Sequence, residues 1–110
     1  VRGFLLPEKQ KHKELFMNYP ATTTTVTLSR PVDLNGETVT SLTVREPTVR
    51  DKIMFEKARG DFMEKELAMI ASLCGRAPED LYGLPSYDYQ QLVKAFNDFL
   101  LPPAERQNNS

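Results

Sequence analysis

The Asn35-Gly36 pair, set between two runs rich in β-branched residues, constrains this chain more than any other feature. Both residues tolerate positive φ, so the pair favours a tight reversal of the chain. Before it, residues 22–30 (TTTTVTLSR) alternate, with Val26 and Leu28 on one face and Thr25, Thr27 and Ser29 on the other. That period marks a half-buried strand, which Pro31 should end. After the pair, residues 37–45 (ETVTSLTVR) place Leu42 and Val44 in phase and Val39 out of phase. Either a bulge reconciles Val39 with its neighbours or Val39 lies on the other face. The pattern predicts an antiparallel hairpin with a loop over residues 31–36.

Beyond Pro47 the period becomes helical. Thr48 with Asp51 three residues on resembles a capping box. Val49, Ile53, Met54, Phe55 and Ala58 give this helix an apolar side, and Gly60 is a natural stop. Asp61 and Glu64 repeat the capping pattern at the next helix. There Met63, Leu67, Ile70 and Cys74 fall at helical spacing beside Phe62, Met69 and Leu73. So wide a stripe predicts a mostly buried helix, which Gly75 closes. Pro78 suits the start of a short helix running to Leu84, and Pro85 breaks it. Ser86 is placed to cap a last helix over residues 87–101. In it Tyr89, Leu92, Val93, Phe96, Phe99 and Leu100 recur at i, i+3, i+4 and i+7, and Pro102-Pro103 ends it. The fold class expected is α+β: an N-terminal antiparallel β-hairpin followed by a small bundle of three to four helices.

The 110 residues suit one domain. Residues 1–20 read as a flexible extension, with Lys9, Lys11 and Lys13 interleaved by Gln10 and His12. Met17 stands directly before the segment that opens the domain. It is a candidate alternative start, with residues 1–16 as added or upstream sequence, which N-terminal mass analysis of natively expressed protein would decide. Residues 21–101 form the domain, and residues 102–110 read as a polar, disordered tail.

Fourteen Lys and Arg against fifteen Asp and Glu give a net charge of -1, which argues against a binder of nucleic-acid phosphates. No apolar run approaches the ~20 residues of a membrane span, and the opening lacks the pattern of a signal peptide. A soluble intracellular protein is expected. One cysteine excludes an internal disulfide, and Cys74 with His12 alone makes no zinc site or catalytic pair. His12 reads as a solvated side chain, and Cys74 as a small hydrophobe on an apolar stripe. The acidic residues are scattered, mostly at helix starts, where they suit the macrodipole. No catalytic, cofactor-binding or metal-ligating residue is expected. Arg59-Gly60-Asp61 matches an adhesion tripeptide, but Gly60 as a helix stop and Asp61 as a cap explain it better. The aromatic stripe of the last helix serves mainly as core. A small domain struggles to cover all of it, and an uncovered apolar patch marks an interface. Phe96, Phe99, Leu100 and Leu101 are therefore the candidate partner-binding residues.

The order of these features resembles the small tail assembly chaperones of contractile-tailed phages, of the Mu-like and P2-like kind. The resemblance spans about residues 24–101. It is carried best by Leu42-Thr43-Val44-Arg45-Glu46-Pro47-Thr48, and by Tyr87-Asp88-Tyr89 followed by Leu92 and Phe96. Residues 1–20 have no counterpart in the pattern. The resemblance implies a non-enzymatic protein of phage or prophage origin that needs no cofactor. Its implied place is the cytoplasm of the bacterial host, outside the mature virion. There it would bind the apolar, largely helical tape-measure protein and keep it soluble until tail-tube subunits polymerise around it. The tail-tube protein and further copies of the chain are additional partners it implies, with no nucleic acid and no membrane. Related genes often yield a longer second form by ribosomal frameshifting. Flexible thioethers at Met54, Met63 and Met69 would suit such a surface. The rival readings are a small DNA-binding regulator or antitoxin, a structural tail component retained in the virion and, weakest, a small hydrolase.

Overall fold

The computed structural model describes residues 21–106. The expected N-terminal extension, residues 1–20, and residues 107–110 lie outside this range. Strand β1 (Thr23–Leu34) and strand β2 (Glu37–Arg45) pair antiparallel as a hairpin. Three helices follow, α1 (Val49–Lys57), α2 (Phe62–Leu73) and α3 (Ser86–Phe99), with 3-10 turns at Pro78–Leu81 and Pro103–Glu105. This is the α+β fold expected.

The hairpin turn is tighter than the sequence suggests. Asn35 and Gly36 have φ of 54° and 86°, both positive as a two-residue type I′ connection requires. Strand β1 therefore continues through Pro31 to Leu34, where a loop was expected. Proline is tolerated there because the ladder is broken around it. Thr27 pairs with Ser41 and Val32 with Val39, so residues 28–31 stand opposite Thr40 alone. The irregularity adds an odd number of residues to β1 and shifts the phase of the facing strand. It thus answers the Val39 question: Val39 faces Val32 on the core side, just as Leu42 faces Val26.

Core-facing Val26, Leu28, Val32, Leu34, Leu42 and Val44 meet Ile70, Ala71 and Leu73 of α2 and Tyr89, Leu92, Ala95 and Phe99 of α3. Leu34, Val44, Ile70 and Leu92 are almost wholly excluded from water. Burying each such side chain stabilises the fold by about 1.5–3 kcal/mol. Helix α2 opens on the expected box: Glu64 N–H donates to Asp61 Oδ1 (2.9 Å) and Asp61 N–H to Glu64 Oε1 (3.0 Å). Ser86 is the first residue of α3 and caps nothing; Pro85 holds the capping position.

Two expectations need correction. The apolar residues of helix α1 do not form the one side expected; they encircle the helix, and Val49, Ile53 and Met54 are exposed. The helix leans chiefly on α2, through Phe55. The first turn of α2 is also uncovered, with Phe62 and Met63 exposed. In addition, packing runs past residue 101. Arg106 donates to the Leu101 carbonyl (2.9 Å), pairs with Glu46 (3.1 Å) and lies over the Phe99 ring.

Candidate functional site: an apolar groove

The hinge between sheet and helices is built on Asp51, a buried carboxylate in the first turn of α1. Arg45, the last residue of β2, donates to both Asp51 oxygens at 2.8 Å. Thr48 adds its N–H (2.7 Å) and its hydroxyl (3.0 Å) to Oδ2. These donors hold the Asp51 carboxyl well below the usual carboxylate range, the Arg45 contact most of all, and Asp51 in turn raises Arg45. The Arg45-Glu46-Pro47-Thr48 segment therefore acts as a bracket that sets the angle of α1. A second buried carboxylate, Asp88, is 0 % exposed. It accepts from Ser29 N–H (2.8 Å) and Ser29 Oγ (2.9 Å), which ties α3 to the irregular stretch of β1.

These brackets leave a groove between α1, the start of α2 and the end of α3. Its apolar lining is Pro47, Val49, Phe55, Phe62, Met69, Phe96 and Leu100, and Lys52, Glu56 and Glu66 stand on its polar side. Its volume is about 510 Å³. Val49 is 74 % exposed, Phe62 67 % and Leu100 62 %. Phe55 and Phe62 meet edge to face with centroids 5.9 Å apart, and Lys65 Nζ lies over the Phe55 ring, 5.5 Å from its centroid. A smaller hollow across α1 shares Phe55 and Met69 and adds Met54, which is 63 % exposed. An exposed apolar groove rimmed by polar side chains is the kind of surface that marks a protein contact.

The four residues proposed from sequence are separated by the fold. Phe96, half-buried, and Leu100 both line the groove. Phe99, turned into the core, is only 3 % exposed, so it offers no contact surface. Leu101 lies in a different, more polar hollow between α3 and the first half of β1, beside Tyr87, Gln91 and Lys94. Sequence reasoning placed Val49 and Phe55 on an apolar side of α1 and Phe62 in a mostly buried stripe, and named none of them as a contact residue. The signal was present: the apolar residues of α1 follow no single face of a 3.6-residue period.

Little else in the domain is chemically poised. Among the described residues no group of three or more His, Cys, Asp or Glu is placed to hold a metal ion, and no helix is long and apolar enough to cross a membrane. Burial pushes the Cys74 thiol up to about 11, which keeps it protonated and unreactive near neutral pH. The Tyr89 hydroxyl donates to Glu66 Oε1 (2.9 Å), and its own pKa is raised by burial and by that carboxylate. In the Arg59-Gly60-Asp61 tripeptide, Gly60 has φ of 105° and Asp61 caps α2, so local geometry accounts for both residues.

A family model described as "Phage tail assembly chaperone proteins, E, or 41 or 14" matches residues 25–101. The chain belongs to this family of phage tail assembly chaperones. The match covers most of the chain and every residue of the groove, and it is to the family as a whole, without a Mu-like or P2-like division. No curated protein and no solved structure matches the chain. For a tail assembly chaperone, an apolar groove on a rigid domain is the kind of surface that engages another protein.

Proposed function

We propose that this chaperone binds the tape-measure protein through the groove and keeps it soluble for tail-tube assembly, without catalysis. It acts in the cytoplasm of the bacterial host and leaves before the virion is complete. The observation that carries the reading is the groove itself, on a member of this family: Val49, Phe62 and Leu100 are exposed although the core has no need of them. An apolar trough flanked by Lys52, Glu56 and Glu66 suits an amphipathic helix, whose anchors recur every three or four residues while its polar face stays in water. Flexible Met54 and Met69 adapt to varied anchors along a long client.

The test is co-expression with the tape-measure gene of the same locus. The tape measure should be insoluble alone and recovered in soluble complex with the chaperone. Recovery of neither complex nor soluble tape measure would overturn the reading.

A further inference from the structure

We propose that two copies of this chain join along the outer edge of β1, so that their hairpins form one four-stranded antiparallel sheet about a two-fold axis at Thr25. The pairing needs no client, so it stands or falls separately from the tape-measure reading.

The first argument is the direction of the backbone groups. The Thr22 carbonyl accepts from Glu46 N–H at 2.8 Å, and Thr24 and Val26 lie opposite Val44 and Leu42. Bonded residues alternate along an antiparallel ladder, so Thr23, Thr25 and Thr27 turn their N–H and C=O groups away from β2. Ser29 continues the series: its N–H points outward and is taken by Asp88 of α3 at 2.8 Å. The outer edge is thus closed at Ser29, and no further strand of the described residues pairs with the stretch before it. The second argument is composition. Sheet edges are ordinarily guarded by charge, proline or a bulge. Here Pro31 and the strand irregularity lie beyond Thr27, and residues 22–29 hold neither charge nor proline. The three outward residues are symmetric about Thr25. A second β1 laid antiparallel therefore sets Thr25 against Thr25 and Thr23 against Thr27, and exchanges roughly six backbone hydrogen bonds.

The third argument is what flanks the edge. A hollow of about 660 Å³ lies between this half of β1 and α3. Tyr87, 65 % exposed, lines it at the start of α3, and Leu101, 40 % exposed, lines it just past the end. The two-fold sets the two α3 helices antiparallel. It carries Tyr87 of each copy toward Leu101 of the other, and Lys94 of each toward Asp98 of the other, so the surface is complementary to itself in shape of pattern and in charge. The hollow shares no lining residue with the apolar groove, and pairing leaves both grooves open.

The experiment begins with native mass spectrometry of the full chain alone over a concentration series, where a dimer should form. Register is then read with Thr25→Cys on a Cys74→Ala background. Facing residues of a hydrogen-bonded pair have Cα atoms about 5.5 Å apart, within disulfide reach. Mild oxidation should link two copies through residue 25, whereas Thr38→Cys, near the turn of the hairpin, should stay unlinked. Tyr87→Asp, in the otherwise unaltered chain, should raise the dimer Kd about tenfold or more while the folded monomer keeps its circular dichroism. A monomer at every concentration would overturn the proposal. So would a dimer that links through Thr38→Cys in place of Thr25→Cys, or one that Tyr87→Asp leaves as tight as before.

Discussion

Asp51 shows how one side chain can set the position of a whole helix. Its carboxylate takes four hydrogen bonds from Arg45 and Thr48, so Asp51→Asn removes the charge and breaks the paired geometry together. Hydrogen bonds to charged groups contribute about 1.5–3 kcal/mol, and partial exposure of Arg45 tempers the Coulombic part. A loss of about 2 kcal/mol is expected, read as a lower urea midpoint. The pH dependence has a definite sign. The folded-state pKa lies below the unfolded value of about 3.9. The contribution is therefore fully present above that value and is lost as pH falls through the folded pKa. The gap between the wild type and Asp51→Asn should narrow below about pH 4; a gap constant to pH 2 would show that the charge is not what holds the bracket. Asp88→Ala should cost about 1–3 kcal/mol, since it strands the Ser29 N–H at the strand irregularity, and equilibrium unfolding measures it. The capping role of Asp51 was legible from Thr48 three residues before it. Arg45 was not, because its pairing depends on where β2 ends. Nothing local pairs Asp88 with Ser29, 59 residues away in sequence.

At the scale of elements, strands and helices follow from local chemistry, whereas burial of α1 does not. The Asn35-Gly36 turn, the Asp61–Glu64 box and the Gly60 stop are each contained in a few consecutive residues; the box and the stop form as read, and the turn forms at Asn35-Gly36 but without the longer loop expected before it. Which face of a helix is covered depends on how many neighbours exist, and α1 has chiefly α2. Its apolar residues read as one side of the helix from sequence alone, which does not say what covers them; here part of that surface forms the groove. The distinction predicts opposite outcomes for two substitutions. Val49→Asp places a carboxylate at the first residue of α1, where the helix dipole favours it. Its stability should stay within about 0.5 kcal/mol of the wild type, while tape-measure recovery in the co-expression assay falls. Phe99→Ala removes a buried ring and should cost about 3–5 kcal/mol, with binding lost only as the fold is lost. If Val49→Asp binds normally, the contact surface lies elsewhere. If Phe99→Ala leaves the thermal midpoint unmoved, Phe99 is not the core residue its burial indicates.

For the whole molecule, the size of the groove limits how one copy could serve the long client proposed above. Helices α1 and α3 have nine and fourteen residues, roughly 13–21 Å at 1.5 Å per residue. One copy laid across them covers about two to four turns of a client helix. A tape-measure protein much longer than that can be shielded only by many copies, each contributing a modest affinity that the shared client adds together. The number of copies bound should therefore rise in proportion to client length. Native mass spectrometry of complexes made with progressively truncated tape-measure fragments measures it. A fixed copy number across the series would mean that the chaperone caps one end or one motif of the client. The groove would then be a site for a unique sequence, and the adaptable Met69 in its lining would need another explanation. A proportional rise instead requires a groove tolerant of sequence, apolar in the middle and mixed in charge at the rim, as the lining from Val49 to Leu100 is.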